Sequence, residues 1–200
     1  MASTGQHGAS GAKTVTIVSV VAHRPALPPT TPQFSVSLPG IPPGSTFSNA
    51  NLLNGFGCSG DDLSPAIAWQ GAPAATKSYL ITLFDEDAPT SSGFWHWVVW
   101  NIPATTHSLP EGAGTAGQSG LPSGAVSGIT DFGTVLPSGY EGPCPPPGDR
   151  AHLYVFSVIA LSVSDVSSLG VPANLPAAAL MDVIRDYAIA VGYHAVSLKL

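Results

Sequence analysis

Charge is what this sequence has least of: Asp, Glu, Lys and Arg make up 9% of its 200 residues, against roughly 25% in an average soluble domain. Its six Lys and Arg are scattered singly and the formal net charge is −6. No basic patch can therefore neutralise nucleic-acid phosphates or hold the protein to an anionic membrane. Cysteine is nearly absent too. Cys58 and Cys144 cannot build a disulfide framework; they can form one bridge, and the sequence leaves the paired and free states open. No apolar run reaches the ~18 residues that a membrane-spanning helix needs. There is no Gly-x-Ser-x-Gly elbow to present a hydrolase serine. A zinc site is disfavoured because no His-x-His or helical i, i+4 histidine pair occurs. Asp85, His96 and His152 are the only plausible ligand trio, and no metal or cofactor is expected.

What is present is turn chemistry and apolar strand. Twenty-two Gly and twenty Pro argue for many turns and against long helices, while 44% hydrophobic content supplies a core for one domain. Residues 1–30 read as a flexible tail or a leader, and residues 31–200 as the single domain. The apolar run 14–22 behind Lys13 resembles a short secretory core and fits an N-terminal β-strand equally well, so localisation stays open between cytoplasm and export.

Alternation at 34–38, the run 66–69, and the β-branched and aromatic runs 78–84, 97–100 and 153–161 are expected as strands. A proline-rich linker covers 24–32. The Gly/Ser/Ala segment 104–128 is too long for a plain connector and is expected as a covering or functional loop. One helix is expected over 176–190, with Pro176 at its first position, an apolar stripe Leu180, Val183, Ile184, Tyr187 and Val191, and Gly192 as its stop. A last strand follows over 195–200. The fold class is mainly β with a helix near the C-terminus.

Chemistry concentrates where those strands end. Asp85-Glu86-Asp87-Ala88-Pro89 closes one strand, Phe94-Trp95-His96-Trp97 opens the next, and the stiff loop Gly139-Tyr140-Glu141-Gly142-Pro143-Cys144-Pro145-Pro146-Pro147-Gly148 delivers His152 to the head of a third. A carboxylate beside an imidazole fixes its proton on one nitrogen and favours its cationic form. Asp85, Asp87, His96 and His152 thus make a candidate pocket for a small anion, with amide donors at Gly142, Cys144 and Gly148. Phe94 and the tryptophans would supply apolar walls. As a group, Trp95, Trp97 and Trp100 fit a core better than a ligand cage, and Trp95 alone is kept in the ligand-binding set. His107 and His194 stand apart and read as structural. Gly112-Ala113-Gly114-Thr115-Ala116-Gly117 has a dinucleotide-binding spelling without the strand before it or the helix after it. Asp131-Phe132-Gly133 lacks every companion motif of a kinase. Both are set aside.

These strand-end and loop motifs, with Leu63-Ser64-Pro65, Trp69, Leu109-Pro110-Glu111-Gly112, Asp131-Phe132-Gly133 and His152-Leu153-Tyr154-Val155-Phe156, resemble the phosphatidylethanolamine-binding protein family over about residues 34–190. The likeness is greatest to the Raf-kinase-inhibitor-like branch. The resemblance implies antiparallel sheets packed into a β-sandwich-like body with a few peripheral helices. It also implies an anion pocket of Asp85, His96, His152 and Tyr154, walled by Asp87, Gly142 and Pro143. Family members bind phosphate-like head groups, some inhibit kinases or serine proteases, and branch members are often homodimers. The chain departs from the family pattern at Glu86, where Pro is common, in the loop 112–128, and at its end, which lacks the usual C-terminal tyrosine. The expectation is a non-enzymatic protein that holds a small anionic or phospho head group. The rival is a biosynthetic enzyme using Asp85, His96 and His152 for acid–base cyclisation or dimerisation of a reactive metabolite. A third reading is an inhibitor docking on a kinase or protease.

Overall fold

Apolar side chains alternate along two long central strands, and each strand buries both faces. The computed structural model describes residues 27–117, 120–136 and 138–200. The tail 1–12 and the leader-like run 14–22 lie outside them. In chain order the strands are β1 (Ser35–Ser37), β2 (Asn54–Gly55), β3 (Cys58–Ser59), β4 (Ile67–Gln70), β5 (Ser78–Asp85), β6 (Phe94–Pro103), β7 (Ser108–Leu109), β8 (Val126–Ser127), β9 (His152–Leu161) and β10 (Ala188–Leu198), with one α-helix, α1 (Ala177–Ile184), before β10. An antiparallel sheet runs β10-β9-β5-β6-β8, a second runs β1-β4-β7, and β2 and β3 form a hairpin of their own.

Period-two alternation assigns the two faces of the larger sheet. Tyr79, Ile81 and Leu83 on β5, with Tyr154, Phe156 and Val158 on β9, pack with Trp97 and Val99 against Ile67 and Trp69 of the smaller sheet. Leu80, Ile159, Leu161, Val98 and Trp100 point the other way and meet Leu180, Met181 and Ile184 of α1. The result is sheet on sheet with a helix on the outer face, the mainly β architecture expected. Each wholly buried aliphatic side chain in these layers stabilises the fold by about 1.5–3 kcal/mol.

The C-terminal expectation needs correcting. α1 stops at Ile184, a 3-10 turn covers Arg185–Tyr187, and the chain is already strand at Ala188. Helix 176–190 is thus cut short, and the strand placed at 195–200 starts earlier. Ala188, Ile189, Ala190 and Val191 suit a helical period, but beside β9 they satisfy its backbone groups instead, with Ala190 opposite Ala160 and Val191 opposite Ile159. Gly192 is not a helix stop. A Cβ there would sit 2.7 Å from the Phe34 carbonyl oxygen and 2.4 Å from a Val36 methyl, so the missing side chain lets the β1 segment cross β10.

A bulge in β6 matters most for the site. Leu83 pairs with Trp97 and Phe84 with Trp95, leaving His96 as the extra residue. Two residues of the bulged strand then share one side of the sheet. His96 joins Trp97 on the face that carries Leu83 and Asp85.

Candidate functional site

Asp85, the last residue of β5, has Phe94 and Tyr154 as its cross-strand partners. His152 lies two residues before Tyr154 on β9 and so shares its face. With His96 turned inward by the bulge, the four expected pocket residues Asp85, His96, His152 and Tyr154 line one cavity of about 230 Å³. The remaining described lining is uncharged: Leu53, Phe56, Phe94 and Phe132, with Ala88 to Thr90 and Cys144 to Pro146.

Hydrogen bonds hold the polar floor. His152 Nδ1 lies 2.8 Å from Asp85 Oδ2, and the Asp87 amide donates to Asp85 Oδ1 at 2.9 Å. His152 Nε2 is 3.4 Å from Asp149 Oδ2, so both ring nitrogens face carboxylates. Asp87 does not line the cavity. It accepts from the Leu153 amide and from Arg150, tying the loop after β5 to the head of β9.

His96 is held differently. Its Nδ1 donates to the Glu141 carbonyl at 2.9 Å, and the Glu141 amide donates back to the His96 carbonyl. The proton is therefore fixed on Nδ1, and Nε2 is left as an acceptor. Burial lowers the His96 pKa to about 4 against the opposing pull of Asp85, so the ring is neutral at physiological pH. Burial also raises Glu141 to about 7, offset by the Thr130 hydroxyl it accepts and reinforced by Asp62. The Tyr154 hydroxyl is enclosed without a well-formed hydrogen bond. Burial first, then the nearby Asp85 carboxylate, push its pKa far up, so it remains a proton donor.

Besides Asp87, three expected ligand residues sit elsewhere. Trp95 faces α1's side of the sheet, packing on the outer cluster and on the Phe84 ring 4.5 Å away. Gly142 and Pro143 back the wall rather than line it. The Gly142 amide donates to Asp62 and the Pro143 carbonyl accepts from Leu53, so that amide is spent within the protein. A Cβ on Gly142 would lie 2.3 Å from the Asn51 carbonyl oxygen, which is why glycine stands there. The cysteines, left open by the sequence, are bonded to each other, with Cα atoms 6.0 Å apart.

Other residues were not anticipated as parts of the site. Phe56 and Phe132 reach the cavity from turns, and Leu53 from just before β2. Asp131 Oδ2 accepts the Trp95 amide and fixes the start of β6, while Glu141 fixes His96. A glutamate beside Gly-Pro, a phenylalanine between two glycines and the Asp131-Phe132-Gly133 motif were the signals for them. His107 and His194 flank β7 and sit mid-β10, as structural positions. Among the described residues no group of three or more His, Cys, Asp or Glu could hold a metal ion.

The fold has known relatives. A family model described as phosphatidylethanolamine-binding protein matches residues 43–197. The UPF0098 protein YbcL of Escherichia coli K12 is 45% identical over 133 residues, which is 66% of this chain and 71% of that protein. YbhB of the same organism is 45% identical over 123 residues, covering 62% and 75%. The crystal structure of Escherichia coli YbcL, described as a member of the mammalian PEBP family, superposes with a TM-score of 0.77 at 38% identity. It covers 84% of this chain and 99% of that one.

Proposed function

We propose that this chain, which belongs to the phosphatidylethanolamine-binding protein family, binds a small, singly charged oxyanion head group on the floor formed by Asp85, His96, His152 and Tyr154. One observation carries the reading. The floor offers a buried Tyr154 hydroxyl whose neighbouring acceptor, the Asp85 carboxylate, does not form a well-shaped hydrogen bond with it, beside an imidazole whose proton is committed to Glu141. A group that accepts from Tyr154 and donates to His96 Nε2 completes both. A phosphate monoester carrying one proton does so. A dianion fits poorly, since no Lys or Arg lines the cavity and Arg150 is engaged by Asp87.

The test is Tyr154→Phe, titrated calorimetrically with inorganic phosphate and phosphoethanolamine. An enclosed hydroxyl without a partner costs about 1–3 kcal/mol. Its removal should therefore leave the fold at least as stable, while head-group affinity falls about tenfold. Unaltered affinity would remove the floor as the binding site.

A neutral imidazole facing an enclosed cavity beside an Asp85–His152 pair also suits proton transfer, and that favours a second reading. On it, His96 Nε2 is the general base and the family pocket is a biosynthetic active site for a reactive metabolite. Turnover of such a substrate that disappears in His96→Gln would support it. Unaltered turnover in that variant would exclude it.

A further inference from the structure

The polar floor accounts for only part of the cavity; its rim is aromatic. Phe56 sits 5.4 Å from Phe132 between ring centroids, Phe132 sits 4.8 Å from Phe94, and Phe94 sits 5.0 Å from His96. These rings make a continuous row from the surface to the floor. Its outer member is the anomaly. Phe56 is 67% exposed and occupies the two-residue turn of the β2–β3 hairpin, where both it and Gly57 have positive φ, 52° and 95°. Such a turn selects Asn, Asp or Gly, and a bulky side chain is strained there. Neither turn geometry nor the core explains a phenylalanine at this place.

The hairpin is also tied down. Cys58 on β3 is bonded to Cys144, and Cys144 lines the same cavity, its sulfur beside the Phe56 carbonyl. The bridge fixes Phe56 over the opening. Pro145, Pro146 and Pro89 line the cavity with it, making an apolar slot. A cavity of about 150 Å³ is enough for a benzene ring, so about 230 Å³ has room for a ring and a small polar group.

We propose that the rim is an aryl subsite, and that the ligand carries an aromatic ring next to its head group, packed on Phe56, Phe132 and Phe94 in a slot whose outer wall the Cys58–Cys144 bond holds in place. This rests on the head-group reading for the orientation of the ligand, not for the existence of the slot. Aromatic pairs at 4.5–7 Å in offset or edge-to-face arrangement attract beyond the area they bury, and the slot presents such faces along one side.

Phenyl phosphate, inorganic phosphate and phenol are titrated into the full chain, followed by calorimetry and by NMR of the phenylalanine rings. Phenyl phosphate is expected to bind at least tenfold more tightly than inorganic phosphate. That ratio should fall toward one in Phe56→Ala, in Phe132→Ala, and in the double variant Cys58→Ala with Cys144→Ala. Phe56 is exposed, so its replacement tests the slot without threatening the fold. Equal affinities for the two phosphates overturn the aryl subsite and leave the head-group site standing. If neither phosphate binds, the head-group reading fails, and phenol decides the subsite alone: shifts confined to Phe56, Phe94 and Phe132 support it, and none refutes it.

Discussion

Glu141→Gln should tilt the pH–stability profile by removing one of two opposed titrations. Glu141 and His96 hold each other through two main-chain contacts, yet burial moves their pKa values in opposite senses. Glu141 rises from 4.5 to about 7. The folded protein then binds a proton more tightly than the unfolded chain, so this group's stabilisation is complete below pH 4.5 and is lost as pH climbs to about 7. His96 falls from 6.5 to about 4. Its contribution is complete above pH 6.5 and is lost as pH drops to about 4. Each shift corresponds to at most ~3 kcal/mol, with a limiting slope of about 1.4 kcal/mol per pH unit. Between pH 4.5 and 6.5 the two slopes oppose one another and cancel. The glutamine variant loses only the Glu141 limb, exposing the His96 one. Its stability should therefore fall by up to ~3 kcal/mol on acidification through that window, relative to the native chain. Urea denaturation at half-unit steps, with the m-value checked for constancy, measures the difference. Parallel profiles for the two proteins would refute the reasoning, whatever their absolute offset.

Three further outcomes are expected. Asp85→Ala leaves the buried His152 ring without its carboxylate and the Asp87 amide without an acceptor. It should cost about 1–3 kcal/mol in urea denaturation, and an unchanged stability would mean the pair is not formed. Removing both cysteines opens a link across 86 residues of sequence. A thermal melt should register a loss of about 2–5 kcal/mol, reproduced in the native chain by reductant; an unmoved melt would deny the bond. Trp95→Leu strips a ring from the packing against α1, at about 2–4 kcal/mol, and should leave phosphate affinity within twofold. An affinity loss beyond that would return Trp95 to the binding surface.

The floor of the site was legible because alternation is local. Leu83 and Asp85 share a face, as do His152, Tyr154 and Phe156, and each set follows from spacing within one strand. The walls were not, because long-range contacts place them. Phe56 reaches the cavity only once the β2–β3 hairpin is bonded to the proline loop. The Gly142 amide was available in principle, and Asp62 from a distant turn takes it. At the C-terminal end the limit was different. Ala188 to Val191 satisfy a helical period as well as a strand period, and only the unfilled edge of β9 decides between them. A residue's own spacing cannot report a neighbour's need for hydrogen bonds.

One inserted residue determines which chemistry the cavity has. Trp97 packs with Leu83 on the inner face. Strict alternation back from Trp97 would put His96 on the outer face beneath α1 and Trp95 against Asp85. The cavity would then hold an indole above a carboxylate, without the acceptor nitrogen on which the proposed head group depends, and an imidazole would be buried among Leu80, Val98 and Trp100. The bulge exchanges the two. It sends Trp95 into the apolar layer where Phe84 receives it, and it brings His96 to the Glu141 carbonyl that fixes its proton. The expectation that Trp95 lines the pocket fails for the same reason that His96 can serve there: a strand read at period two has no place for the extra residue, and the loop carrying Glu141 supplies the hydrogen bonds that make it worth keeping.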